Sequence, residues 1–128
     1  MDLELLKYFL PEGLMDYFII TKVYEVEDPT LKTKVLQLDL EEINKIPSGY
    51  NIDQYESKGF YPVKIIQDFP VRGKSVYLAI KRRRWRNKDN KNEVIHNDYS
   101  IIAEGAKITK ELSDFLKDTG RDPNRYHW

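Results

Sequence analysis

Apolar positions change their spacing twice along this chain. Leu3, Leu5, Leu6, Phe9 and Leu10 recur at helical intervals, with Asp2 placed to cap them and Pro11 to end them. Pro11-Glu12-Gly13 opens a second short helical piece with Leu14, Tyr17 and Phe18 on one side. From Ile19 the period falls to two. Residues 19–26 are β-branched and aromatic and predict a strand, and Glu27-Asp28-Pro29-Thr30 predicts a turn. Leu36, Leu38 and Leu40 then alternate with Gln37, Asp39 and Glu41, which predicts the second strand of an antiparallel hairpin with an acidic outer face. Residues 44–58, polar and containing Pro47, Ser48 and Gly49, predict a loop. Strand character resumes over residues 60–69 around Val63, Ile65 and Ile66, and residues 70–74 read as a tight connection. Val76, Leu78 and Ile80 alternate with Tyr77, Ala79 and Lys81, and the run continues into five more residues, Arg82-Arg83-Arg84-Trp85-Arg86. Residues 87–92 form a polar hairpin tip, followed by return strands near 94–96 and 99–103. Helical spacing comes back at the end: Thr109 as N-cap, Glu111 in the first turn, Leu112, Phe115 and Leu116 as the apolar stripe, Gly120 as the stop.

The pattern predicts an α+β fold. It comprises an antiparallel sheet of about four to six strands, an N-terminal helical segment packed on it, one C-terminal helix and a metal-free, ribbon-like β-hairpin arm. One domain is expected over 1–128. Its parts are an acidic helix-plus-hairpin half (1–58), a basic β-ribbon half (59–106), a C-terminal helix (107–120) and a tail (121–128).

Composition narrows the function. With 41% hydrophobic and 33% charged residues the chain suits a globular protein with a heavily charged surface. No apolar run approaches the ~18 residues that span a bilayer. The opening Met1-Asp2-Leu3-Glu4 is unlike a secretory signal, so a cytoplasmic protein without membrane contact is expected. There is no cysteine and there are only two histidines, His96 and His127, which argues against a bound metal; no cofactor is expected.

The formal net charge of +0 conceals a division. Residues 1–58 hold 6 Lys+Arg and 12 Asp+Glu; residues 59–128 hold 15 and 9. From Arg72 to Lys91 there are nine basic residues and one acid, Asp89. Such asymmetry points to a polyanionic partner.

Beyond Ile80, alternation assigns Arg82, Arg84 and Arg86 to one face and Lys81, Arg83 and Trp85 to the other. With both faces cationic, this segment is expected to project as an arm or lie at a sheet edge. Arginine forks grip phosphate or guanine edges bidentately, a two-stranded ribbon fits the major groove, and Trp85 would stack on a base or brace the arm. The predicted DNA contacts are Arg82, Arg83, Arg84 and Arg86, flanked by Lys81, Lys74, Arg72, Lys88 and Lys91, with Trp85 among them. Protection of a sheet edge by cations explains one or two lysines, but four arginines with a tryptophan exceed what it requires. In a third arrangement the acidic residues Asp39, Glu41, Glu42, Asp53 and Glu56 cover the basic arm, within one molecule or between two.

Order and spacing of short motifs carry a family resemblance. Lys58-Gly59-Phe60, Gln67-Asp68-Phe69-Pro70, Arg72-Gly73-Lys74, the arginine-rich strand with Trp85, Ala103-Glu104-Gly105, Ile108-Thr109-Lys110-Glu111 and Phe115-Leu116-Lys117 follow in sequence, preceded by Leu10-Pro11-Glu12-Gly13 with Tyr17-Phe18. This resembles the N-terminal region of bacterial insertion-sequence transposases of the ISAon type, found in Bacteroidetes, and more distantly the ISL-three-like transposases. The resemblance is weakest between residues 32 and 57. It implies a module that recognises the element's terminal inverted repeats in double-stranded DNA, or supports that recognition. In the family this region precedes a helix-turn-helix and a DDE catalytic domain. The wider family carries a zinc ribbon whose arginine-rich strand runs into a C-x2-C knuckle; here Asn87-Lys88-Asp89-Asn90 stands there, so metal binding does not transfer. The hairpin is then expected to rely on packing and turn hydrogen bonds.

No catalytic residues are assigned, and the expectation is a non-enzyme. Asp68, Asp98 and Glu104 sit at unrelated spacings, unlike a metal-nuclease carboxylate set, and Asp68 reads as a turn residue before Pro70. His96 with Asp98 has the makings of an acid–base pair but reads more simply as structural. Arg72-Gly73-Lys74 lacks the glycines and the Lys-Ser/Thr ending of a phosphate loop. Two other roles remain open: a protein-interaction module joining a homo-oligomer or a transposase catalytic subunit, and a small metal-dependent nuclease.

Overall fold

A computed structural model describes residues 8–11, 13–28, 30, 32–99 and 109–118. The fold is α+β. A single helical turn, α1 (Leu14–Tyr17), follows Gly13, whose φ of 81° is a left-handed value that glycine adopts without strain. The helix predicted over residues 2–10 lies largely outside the described residues, although Leu10 is buried. Two strands follow, β1 (Phe18–Glu27) and β2 (Lys34–Glu42), paired antiparallel as the alternation predicts.

The segment predicted as loop over 44–58 contains more structure than that. A 3-10 turn at Ile52–Gln54 leads into β3 (Tyr55–Phe60). β3 escaped the period-two pattern because Glu56, Ser57, Lys58 and Gly59 are all exposed, and because the register shifts between Ser57 and Phe60 around a Gly59 at φ 86°. Then come β4 (Lys64–Val71), β5 (Lys74–Lys81), β6 (Arg83–Asn87), β7 (Val94–Ile95) and the helix α2 (Lys110–Asp118).

The strands make two sheets, ordered β1-β2-β5-β4 and β3-β6-β7. All pairings are antiparallel except β2 with β5, which is parallel. This departs from a purely antiparallel sheet because the chain leaves β2, builds β3 and β4, and only then returns through β5. β4 and β5 join through Arg72-Gly73, with φ of 51° and 77°, a two-residue turn of the mirror-image type whose twist suits a hairpin.

The two sheets share a spine. β5 and β6 are separated by Arg82 alone, and β3 and β4 by residues 61–63. Tyr61 N donates to Arg82 O across this gap at 2.9 Å. One long hairpin thus runs through both sheets; β1 and β2 flank its lower half and β7 its upper half. Glu42, the last residue of β2 and only 1% exposed, closes the seam. Its Oε1 accepts from Arg83 N (2.8 Å), and its Oε2 from Asn97 Nδ2 (3.1 Å) and Tyr99 Oη. A side-chain carboxylate here replaces the backbone acceptor that β2 stops supplying, so the buried donors stay satisfied.

The core lies on one face of the four-stranded sheet. Leu38, Leu40, Ile66, Val76, Leu78 and Ile80 pack beneath Leu10, Leu14 and Phe18. Each such side chain contributes about 1.5–3 kcal/mol by leaving water. A smaller cluster joins Leu112 and Leu116 of α2 to Phe69. Thr109 caps α2 as predicted, accepting from Leu112 N at 3.3 Å, and its hydroxyl donates to buried Asp68 at 2.9 Å. Asp68 therefore sits within β4, not in a turn.

Candidate nucleic-acid interface

The basic run is neither an arm nor an edge. β6 is the middle strand of its sheet, paired with β3 on one side and, at Trp85 and Arg86, with the two-residue β7 on the other. Its two faces differ, as alternation requires. Arg83 and Trp85 lie on the covered face. Trp85 is 2% exposed and its Nε1 donates to Asn44 Oδ1 at 2.9 Å. It braces the sheet and is unavailable for stacking on a base. Arg83 Nε donates to Glu42 O (2.7 Å) and its Nη1 to Ser57 Oγ (3.2 Å). Its guanidinium sits 3.8 Å from the Glu41 carboxylate and 4.7 Å from the Phe60 ring centroid. Arg83 is therefore committed to the fold.

Arg82, Arg84 and Arg86 occupy the other face, half-buried. The guanidiniums of Arg82 and Arg84 lie 5.6 and 5.7 Å from the Tyr61 ring centroid. Arg84 Nε donates to Lys58 O at 3.3 Å, and Arg82 Nη2 approaches Asn97 O at 3.4 Å. Arg86 faces Glu56 across the β3–β6 ladder, yet among the described residues none of these three arginines has a carboxylate within ion-pair distance. Among the described residues the Nε atoms of Arg82 and Arg86 are buried without a hydrogen-bond partner. Among the same residues the acidic half thus engages Arg83 and places no carboxylate within ion-pair distance of the other three guanidiniums. Masking of the run by Asp39, Glu41, Glu42, Asp53 and Glu56 is limited, among the described residues, to Glu41 and Glu42 at Arg83.

The flanking cations fall into separate places. Lys81 is exposed, 5.9 Å from the Phe60 ring centroid. Lys88 and Lys91 are exposed on the β6–β7 connection. That connection rests on side-chain amides: Asn87 Oδ1 accepts from Asp89 N (2.8 Å) and Asn90 N (3.1 Å), and Asn90 Oδ1 accepts from Asn92 N (3.2 Å). Asn87 and Asn90 organise the turn by hydrogen bonding. Arg72 and Lys74 belong to the opposite end of the spine, about 25–30 Å from Arg82 at ~3.3 Å per strand residue. Lys74 is engaged there with Glu25 at 2.5 Å, and this contact holds the Glu25 carboxyl below its ordinary pKa.

Sequence reasoning missed Tyr61, which organises the open face. The signal was present: the aromatic pair Phe60-Tyr61 stands antiparallel to the arginine run, and each ring receives guanidiniums from one face of it. Tyr61 Oη also lies 3.3 Å from His96 Nδ1, while His96 Nε2 lies 3.1 Å from Asp98 Oδ1. The sequence pairing of His96 with Asp98 thus forms, with a tyrosine as third member.

The carboxylates considered for a nuclease do not converge. Asp68 is bound by Thr109 inside β4, Asp98 lies beside His96, and Glu104 is outside the described residues. Among the described residues no group of three His, Asp or Glu side chains is placed to hold a metal ion, and no helix is long and apolar enough to cross a membrane. The outer face of the larger sheet holds an open groove of about 250 Å³ lined by Thr21, Gln37, Asp39, Val63, Ile65 and Lys81, among others. No protein-family model, curated protein or solved structure matches this chain.

Proposed function

We propose that this protein is a non-catalytic DNA-binding module that lays the Arg82–Arg84–Arg86 face of its smaller sheet along the backbone of duplex DNA. In the setting that the family resemblance implies, it serves the recognition of a transposable element's terminal inverted repeats. The observation that carries the reading is a row of three half-buried arginines with no carboxylate partner among the described residues, Arg84 and Arg86 on the paired strand β6 and Arg82 just before it.

Three features support it. Alternate residues of a strand recur about every 6.6 Å, the scale on which successive phosphates of one nucleic-acid strand recur. Stacking on Tyr61 and the bond to Lys58 O restrict the guanidiniums before any partner arrives, which lowers the entropy cost of binding. Trp85 is buried, and the Phe60 and Tyr61 rings carry cations. That leaves little free aromatic surface on this sheet for the base stacking typical of single-strand binders and favours duplex backbone as the partner.

Fluorescence anisotropy with an inverted-repeat duplex tests the reading. Each lost phosphate contact lowers the slope of log affinity against log salt by about 0.9. Arg84→Ala/Arg86→Ala should weaken binding and lower that slope by about 1.8. Arg72→Ala/Lys74→Ala, at the far turn, should change neither. Equal losses from both pairs, or binding indifferent to salt, would refute the assignment. If Arg84→Ala/Arg86→Ala instead dissociates an oligomer in size-exclusion chromatography, the face serves subunit contact.

A further inference from the structure

We infer that His96 and Tyr61 form a proton-loaded phosphate contact beside the arginine row, so that DNA binding tightens as pH falls through the histidine range. The inference rests on the DNA-binding reading of the same face and adds its regulation.

The geometry is a chain of three groups. His96 Nε2 lies 3.1 Å from Asp98 Oδ1, and His96 Nδ1 lies 3.3 Å from Tyr61 Oη. A carboxylate only accepts, so Nε2 carries the hydrogen and points it at Asp98. In the neutral ring Nδ1 is then the acceptor, and Tyr61 donates its hydroxyl hydrogen to it. In this state the hydroxyl is spent inside the protein and the imidazole brings no charge to the face.

A second proton reverses both conditions. Nδ1 becomes a donor, so the Tyr61 oxygen must accept from it, and the hydroxyl hydrogen turns outward. The face gains one positive charge and one free O–H donor, both adjoining the guanidiniums of Arg82 and Arg84 that stack on the same ring. A phosphate oxygen accepts the freed Tyr61 hydroxyl hydrogen and is drawn by the imidazolium charge, whose two N–H groups stay on Asp98 and Tyr61. The charged groups gathered here are Asp98, 3.1 Å from the imidazole on its own segment, and the guanidiniums of Arg82 and Arg84, which lie on the Tyr61 ring that the imidazole also contacts. A phosphate seated on the arginines brings negative charge beside the imidazole and favours its protonated form, so binding takes up a proton and, by linkage, protonation strengthens binding. Imidazole makes this change near neutrality, around pH ~6.5 in general.

The test is anisotropy with a labelled duplex at constant ionic strength, from about pH 8 to about pH 5.5. Proton uptake on binding predicts affinity that rises as pH falls through this range and levels off at its acidic end. His96→Gln should abolish this rise and His127→Gln should retain it. His96→Lys, with its charge fixed, should bind at the alkaline end as tightly as the natural protein does at the acidic end. Tyr61→Phe keeps the ring but lacks the hydroxyl, and should show a smaller rise. If the natural protein binds DNA in an Arg84-dependent way while His96→Gln keeps the full pH response, the proton contact is overturned and the DNA reading stands. If no binding occurs at any pH, both fall.

Discussion

Removal of the Glu42 carboxylate should unfasten the two sheets from each other. Glu42 is 1% exposed and accepts from Arg83 N, Asn97 Nδ2 and Tyr99 Oη. In Glu42→Ala, Asn97 keeps its second partner, Lys45 O, but the Arg83 amide and the Tyr99 hydroxyl lose theirs. Each buried donor left unsatisfied costs about 1–3 kcal/mol. Loss of side-chain packing adds to this, and relief from burying a carboxylate subtracts. A net loss of about 4 kcal/mol follows. Glu42→Gln keeps the volume and one acceptor, and should lose about 1–2 kcal/mol. Urea unfolding followed through tryptophan fluorescence, with Trp128→Phe as the common background so that Trp85 reports alone, measures both. With an m-value of about 2 kcal/mol/M, the Glu42→Ala midpoint should fall by about 2 M. A loss below about 1 kcal/mol, or equal losses for the two variants, would show that the carboxylate does not hold the seam.

Other outcomes follow from particular contacts. Burial and the Glu42 carboxylate raise the Tyr99 phenol pKa above 10.0, so the folded state keeps its proton where the unfolded chain loses it. That contribution is complete below pH 10.0 and is lost as pH rises further; Tyr99→Phe should flatten the alkaline fall in thermal stability. The Glu25 carboxyl lies below its ordinary value of 4.5 because of Lys74, so its contribution is present above that pH and disappears as pH falls through the depressed value. Lys74→Met should therefore differ slightly from the natural protein at neutral pH and converge with it in acid unfolding. Arg72 at φ 51° pays a left-handed penalty; Arg72→Asn should stabilise the protein by up to about 1 kcal/mol in thermal melts and leave DNA affinity unchanged.

Much of this fold is legible where one face is dry and the other wet. Leu36, Leu38 and Leu40 against Gln37 and Asp39, and Val76, Leu78 and Ile80 against Tyr77, mark β2 and β5 because they sit in the middle of a one-sided core. Thr109 announces α2 because capping is a local transaction between neighbours in sequence. β3 is hidden because its central residues are all exposed and its ladder is interrupted by a bulge. The parallel β2–β5 pair is hidden because it joins segments separated by β3 and β4, and local periodicity carries no record of partners. The arginine run is half legible. Its charge foretells a cationic surface, and its alternation separates Arg82, Arg84 and Arg86 from Arg83. The inference that both faces must be wet fails because Arg83 spends its donors on Glu42 and Ser57, and because Trp85 can bury its indole once Asn44 takes the N–H.

The central claim, that Arg82, Arg84 and Arg86 grip the DNA backbone while Arg83 serves the fold, is tested most directly by the guanidinium Nε–H resonances of the protein titrated with inverted-repeat duplex. The account predicts shifts and slowed exchange at Arg82, Arg84 and Arg86, with Arg83 and Arg72 unmoved. Saturating DNA that leaves those three resonances in place, or moves only the Arg72 turn, would contradict it.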